Sequence, residues 1–377
     1  MPIPSTKLFL QSLGNGGYAF TPSNPGEFSA FAAGLAYSLN LAWLPDLNGD
    51  GIAELVVAAP GQENGNKAAN ADSGRIYIDL GSATGGGSLK LGDQATEWTI
   101  SGKRGGDLAG AAMTTIASLN GDALPDLVVG TPGFDGPAGA DTGGASVLWG
   151  SAAPFATTLG TLGTAGYSIN GAAAGDRAGA TLAAVADLNG DGRAEILLGA
   201  PGNDLGGAEA GAAYLLYGKA TTSTVNLANL GAGGFRIRGE AAGDGLGAAV
   251  GTVADLNGDG RAELLLGAAG NDAGGTDAGA AYVVFGKTGS VEVNLATLGA
   301  GGFRIRGVAG EGLGSTLTGL GDVNGDGTAD LLLGTANGGK AYVVFGKATT
   351  SEVNLATLGS GGYTTTPRPP ATWRAWW

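Results

Sequence analysis

One nine-residue phrase is written four times along this chain, and a damaged copy of it once. It stands as DLNGDGIAE at 46–54, DLNGDGRAE at 187–195 and 255–263, and DVNGDGTAD at 322–330. The damaged copy, SLNGDALPD, occupies 118–126. The five copies start 67 to 72 residues apart. Self-similarity at that spacing means stacked or radial units, each of which buries its apolar face only against a neighbour. Inside the phrase, oxygen-bearing side chains fall at positions 1, 3, 5 and 9, with Gly at 4 and usually at 6. Ca²⁺ takes six to eight oxygens at about 2.3–2.6 Å. Alternate residues of a tight loop point inward, position 7 can offer its carbonyl, and Gly lets the backbone curl. The plainer reading is a set of Asn-Gly and Asp-Gly turns between strands. Recurrence in register favours calcium.

The candidate ligands follow by position. They are Asp46, Asn48, Asp50, Ile52 and Glu54 in the first loop, and Asn120, Asp122, Leu124 and Asp126 in the second. The third offers Asp187, Asn189, Asp191, Arg193 and Glu195, and the fourth Asp255, Asn257, Asp259, Arg261 and Glu263. The fifth offers Asp322, Asn324, Asp326, Thr328 and Asp330. The residue at position 7 would contribute only its carbonyl. Ser118 and Ala123 replace Asp and Gly in the second loop, so four strong calcium sites and one weak one are expected.

Around each loop the repeat reads as four short strands. In the third copy they are an alternating stretch at 178–186, an apolar run at 196–200, a segment at 212–217, and 235–239 after the phrase VNLANLGAGG. Val, Ile, Leu, Phe and Tyr fill them, Gly and Asp bound them, and no segment holds a helical period. The 76 glycines lack a three-residue period, which argues for tight turns rather than collagen. The expected fold is all-β, a β-propeller of about five four-stranded antiparallel blades with the calcium loops between strands 1 and 2. A linear β-solenoid is the alternative, although its turns are shorter. The blades span 28–366, between an N-terminal segment (1–27) and a Pro/Trp-rich tail (367–377) that could dock on a partner.

These motifs resemble FG-GAP repeats, the blades of integrin α-subunit propellers and of many bacterial surface proteins. The resemblance covers roughly 28–347. Its "GAP" element stands as Gly199-Ala200-Pro201-Gly202, Gly130-Thr131-Pro132-Gly133, Gly267-Ala268-Ala269-Gly270 and Ala58-Ala59-Pro60-Gly61. Its "FG" element is worn down to Gly243-Asp244-Gly245-Leu246-Gly247 and Gly310-Glu311-Gly312-Leu313-Gly314. Integrin propellers have seven blades, against five loops here. Position 9 is Glu in three loops, where the family usually carries Asp.

Composition narrows the function. There is no His and no Cys, which removes disulfides, thiol catalysis, the commonest general base and the usual zinc ligand. Fourteen of the 33 acidic side chains lie in the five loops, and five Ca²⁺ would bring the formal charge from −14 to about −4. An acidic chain does not suit nucleic acid, and no apolar run reaches the ~20 residues that span a bilayer. The first residues lack the 7–15-residue apolar core of a secretory signal. Free calcium outside cells suits such loops, and acidic, Gly- and Asp-rich chains without Cys resemble substrates of bacterial one-step secretion, so an extracellular or cell-surface protein of bacterial type is expected, non-enzymatic, a scaffold or adhesion protein. A lectin, or the propeller domain of a polysaccharide hydrolase or lyase, is the alternative; partners would be a second copy head to tail, another surface protein or a glycan.

Three finer expectations complete the reading. The loops at 62–73, 134–142, 203–210 and 271–278, opposite the calcium face, look variable and so suited to binding. Arg236/Arg238 and Arg304/Arg306 would shield outer strand edges from pairing. Residues 7–21 parallel 352–365, sharing Leu-Gly-x-Gly-Gly-Tyr, so both ends offer one strand for one vacancy, and the surplus strand would complete a neighbouring subunit.

Overall fold

Each repeat folds as an antiparallel meander because its apolar runs are four to seven residues long and end in Gly- or Asp-rich turns. The computed structural model describes residues 8–9, 19–22, 40–44, 46–49, 51–61, 72–79, 88–91, 97–151 and 156–365. The third repeat shows the pattern. Thr181–Val185, Glu195–Ala200, Ala212–Leu216 and Gly234–Arg238 are hydrogen-bonded in that order. The second and third of these are buried along their whole length. That is why they read as continuous apolar runs rather than alternating ones.

Five such sheets of four or five strands make an all-β chain, consistent with a propeller-like arrangement. Each nine-residue loop joins the first and second strands of its sheet. The chain forms two compact units: residues 1–182, 192–196 and 217–230, and residues 183–191, 197–216 and 231–377. The core of the first unit gathers Leu47, Val56, Ile76, Trp98, Leu127 and Leu148. That of the second gathers Leu256, Leu265, Val283, Phe303, Leu333 and Leu355.

Four of the five sheets carry a fifth strand that the four-strand expectation missed. The short phrase between a repeat's third and fourth strands pairs in parallel with the fourth strand of the preceding repeat. Ala156–Thr158 lies along Glu97–Ser101 and Val225–Asn226 along Gly166–Asn170. Val293–Asn294 lies along Gly234–Arg238 and Val353–Asn354 along Gly302–Arg306. Two or three residues are too short to register as a strand in the sequence. They hold because their neighbours are anchored. Leu227, Leu295 and Leu355, one residue beyond, are buried. Lys219, Lys287 and Lys347 place Nζ 4.2, 4.4 and 4.5 Å from the ring centres of Tyr167, Phe235 and Phe303 in the preceding fourth strand.

The arginine pairs therefore do not guard an unpaired edge. Glu292 of the added segment takes Arg236 and, at 3.8 Å, Arg238. Glu352 takes Arg304 at 2.5 Å and Arg306 at 3.3 Å. Charges expected to repel an edge strand instead hold one in place.

The ends also depart from expectation. Gly362–Thr365 completes the fifth sheet beside Ala341–Val344. Ala19–Pro22 instead pairs in parallel with Ser88–Leu91 and antiparallel with Leu8–Phe9, in a separate three-stranded sheet. The two segments fill different places and do not compete for one. The tail at 367–377 and most of 1–27 lie outside the described residues.

Candidate metal centre

Four of the five nine-residue loops are closed by one recurring hydrogen bond. The backbone N–H of position 2 donates to the carboxylate of position 9: Leu47 to Glu54 at 2.7 Å, Leu119 to Asp126 at 2.7 Å, Leu256 to Glu263 at 2.7 Å and Val323 to Asp330 at 2.8 Å. Position 1 then organises the curl. Asp255 accepts from Gly258 at 2.6 Å and Gly260 at 2.7 Å, and Asp322 accepts from Gly325 and Gly327 at the same two distances. These glycines have φ of 80–89°, a region open to Gly and strained for other residues. Position 5 accepts from the N–H of position 7 at 2.8–2.9 Å in Asp122–Leu124, Asp259–Arg261 and Asp326–Thr328.

The oxygens left over are the ones that matter for a cation. In the third loop, carboxylate oxygens of Asp187, Asp191 and Glu195 lie within 4.8 Å of one another, the first two exposed and the last buried. In the fourth, Glu263 Oε2 is buried with no hydrogen-bond partner. A buried carboxylate oxygen without a partner is costly unless a cation faces it. The donor set, hard oxygens with Asn and carbonyls among them, fits Ca²⁺ better than the softer transition metals.

The loops differ in a way the sequence pattern did not convey. Where position 9 is Asp, the shorter side chain spends both oxygens on backbone. Asp126 accepts from Leu119 and, at 3.0 Å, from Gly150; Asp330 accepts from Val323 and, at 2.9 Å, from Gly346. Glu263 reaches one group further and keeps Oε2 spare. In the second loop Ser118 Oγ accepts the Gly121 N–H at 3.0 Å, replacing the carboxylate of position 1, and Ser118 itself is held at φ 97°. Asp50 of the first loop lies outside the described residues.

Electrostatics follow burial. Burial pushes Glu263 up to about 7, with Asp255 and Asp259 adding to the shift, and pushes Asp126 up to about 6. Asp255, by contrast, is lowered, first by the Gly260 N–H, and Asp326 is lowered first by the Asn324 side chain. A carboxyl whose folded pKa is raised contributes stability below its unfolded value, near 4.5 for Glu, and loses it as pH rises through the folded value. The cation-free protein is therefore expected to melt higher at pH 5 than at pH 7.5, with added calcium closing the gap. Melting curves in chelator across that range check this. A melting temperature that is flat or rises toward pH 7.5 counts against it.

Three of the four loops expected to vary share one frame; the fourth, 62–73, lies mostly outside the described residues. Asp135 accepts from the Asp141 N–H at 2.9 Å, Asp204 from Glu209 at 2.8 Å and Asp272 from Asp277 at 2.8 Å. Asp141, Glu209 and Asp277 all take positive φ, at 47°, 52° and 52°. Loop length had disguised a common turn.

Buried and half-buried acids outside the nine-residue loops are likewise engaged. Asp107, Asp176 and Asp244 cap the backbone N–H groups of Arg104, Ala173 and Ala241 at 2.8, 3.0 and 3.1 Å. Glu311 holds Lys340 at 2.5 Å and the Tyr342 hydroxyl at 2.6 Å. Glu240 takes the Tyr282 hydroxyl at 2.6 Å and Arg304 at 2.8 Å. Residues 104–107 and Arg238 are thus engaged in turn and sheet contacts.

The FG-GAP repeat model matches residues 40–79, 178–216 and 246–284. Each matched stretch holds one nine-residue loop, the strands on either side of it and the third strand. The chain carries FG-GAP repeats at these three positions. Phosphatidylinositol-glycan-specific phospholipase D of Bos taurus is 29% identical over 197 residues, 52% of this chain and 22% of that protein. The Homo sapiens counterpart is 29% identical over 196 residues, with the same coverage. Integrin alpha-PS2 of Drosophila melanogaster is 36% identical over 95 residues, 25% of this chain and 6% of that one. The chain therefore spans about a fifth, or less, of the length of these relatives. Among solved structures, the crystal structure of BBS1N in complex with ARL6DN, soaked with lead, aligns over 82% of this chain and 79% of its own. Identity there is 13% and the TM-score 0.34, too low to bear on the fold. No helix among the described residues is long and apolar enough to cross a membrane.

Proposed function

We propose that this FG-GAP protein is a calcium-stabilised extracellular scaffold or adhesion protein, of bacterial surface type, that meets its partners through the repeat array and catalyses nothing itself. The observation that carries the reading is the spare, buried Oε2 of Glu263 at the mouth of an otherwise satisfied loop, together with the Asp187, Asp191 and Glu195 cluster. The residues that would hold each ion are those at positions 1, 3, 5 and 9, with the carbonyl of position 7. The integrin relative supports an extracellular setting. The phospholipase relatives share only a stretch about a fifth of their length, so their reaction is not carried over to this chain. The buried acids just described are held by backbone, Lys, Arg, Asn or Tyr, which supports the non-catalytic reading for the described residues. A lectin would need aromatic rings in its loops, whereas Tyr214, Tyr282 and Tyr342 are buried in third strands.

Calorimetric calcium titration tests this. Asp259→Ala is expected to remove one full-strength site, whereas Asp122→Ala changes the titration little because its loop has already lost position 1. Equal losses for the two variants would refute the ranking of sites. Hydrolysis of a glycan or phosphatidylinositol-glycan by the chain, abolished by one carboxylate substitution outside the loops, would refute the non-catalytic reading.

A further inference from the structure

Among the described residues the fifth sheet has four strands where its predecessors have five. Among the described residues no strand pairs with Gly362–Thr365 on the side away from Ala341–Val344, although the corresponding strands of the first four sheets each receive a parallel segment there. Two side chains record the difference. The aromatic residue in the fourth strand is 2% exposed at Tyr167, 1% at Phe235 and 2% at Phe303, but 50% at Tyr363. The residue at loop position 2 is 1% exposed at Leu47, 0% at Leu119, 1% at Leu188 and 4% at Leu256, but 50% at Val323. Both sit where a following repeat lays its segment and its turn. Apolar surface of this kind, beside an unpaired strand, is a template for strand addition.

The sequence contains one further copy of the segment that would fit. The internal donors read Val293-Asn294-Leu295 and Val353-Asn354-Leu355, followed by Leu298 and Leu358. Leu355 belongs to the core around Phe303, and Leu358 packs against it. Residues 7–14 read KLFLQSLG, placing Leu8, Leu10 and Leu13 at the same three apolar positions. Charge agrees with the choice. Donors that meet arginine pairs carry Glu292 or Glu352 ahead of the valine, whereas Gly362–Thr365 and the next residue carry Thr364, Thr365 and Thr366, and the N-terminal copy carries Lys7. No acid is needed and no cation is opposed. Leu8–Phe9 pairs with Ala19–Phe20 along one edge, and among the described residues no strand pairs along the other. The capping lysine of the internal joints has no counterpart here, so this joint is the more readily exchanged.

We infer that the outer edge of Gly362–Thr365 is a docking site for residues 7–14 of a second copy of this chain, added in parallel so that Leu10 and Leu13 cover Tyr363. This deepens the scaffold reading, on which it rests for the idea that copies meet one another. The contact is heterologous, so copies extend head to tail.

The test uses the full chain, which has no native Cys to interfere. Internal joints set Ile305 opposite Val353; the matching pair is Thr365 with Leu8. Two proteins, one Thr365→Cys and the other Leu8→Cys, are mixed under mild oxidation with calcium present. A disulfide-linked dimer is expected, in yield well above that from Thr365→Cys mixed with Ser12→Cys. Adding Tyr363→Arg to the acceptor should weaken association about tenfold, the loss expected when one half-exposed ring can no longer be buried, with mass by light scattering falling in parallel. No dimer, or a yield indifferent to Tyr363→Arg, overturns the proposal. So does a doubly substituted chain that crosslinks only within itself, since the edge is then closed by the chain's own N-terminus. Each variant is also melted with and without chelator, which confirms that it folds. Dimers that form while melting ignores calcium would refute the calcium reading and leave the docking site standing.

Discussion

Stripping divalent cations should lower the melting temperature by more than any single substitution. A ligand that binds only the folded state at a hundred times its Kd adds about 2.7 kcal/mol per site. Four full loops would then carry on the order of 10 kcal/mol, comparable to the whole net stability of a typical domain. The physical cause lies inside each loop. Without a cation, the three carboxylates of Asp187, Asp191 and Glu195 crowd within 4.8 Å, and Glu263 buries an oxygen that nothing satisfies. The loops should open first and take the first and second strands of each sheet with them. Calorimetry in excess chelator, then with calcium restored, measures the shift. It should be at least roughly 20 °C and reversible. A melting curve that does not move means the loops are turns and nothing more.

The largest effect of a single substitution is expected at Gly302. This residue opens the fourth strand of its sheet at φ 151°, and a Cβ there would lie 1.9 Å from the carbonyl oxygen of Val283, a backbone atom that cannot swing away. Gly302→Ala should cost about 3 kcal/mol or more, since both the backbone angle and the contact are violated. That corresponds to roughly 10 °C for a unit of this size. Gly299, also at positive φ (55°) but with open space around its Cβ position, supplies the control, and Gly299→Ala should cost roughly 1 kcal/mol. Equal losses for the two variants would show that the close approach of third and fourth strands is not what requires glycine.

Much of this protein could be read from its residues because its information is periodic. The loop copies mark the joint between first and second strands wherever they occur, and the second and third strands are long enough and apolar enough to declare themselves. Position 9 was legible as an oxygen donor. Its second duty, accepting the N–H of position 2, was not, because a hydrogen bond across seven residues depends on how tightly the loop closes. The reading also could not separate Glu from Asp at position 9, since one methylene decides whether an oxygen is spent on Gly346 or left over.

The alternation and spacing of apolar residues determined the strands and the oxygen-rich loops, since those depend on local geometry and the reach of a few side chains. Tertiary structure alone decided which surfaces are joined. Val353–Asn354 is a strand only because Gly302–Arg306 lies beside it, and Arg304 holds Glu240 and Glu352 only because folding brings residues 48 and 64 positions apart together. Burial of Phe303 and exposure of Tyr363 cannot be told from their near-identical surroundings in sequence. They differ because one has a following repeat packed over it and the other, among the described residues, has none.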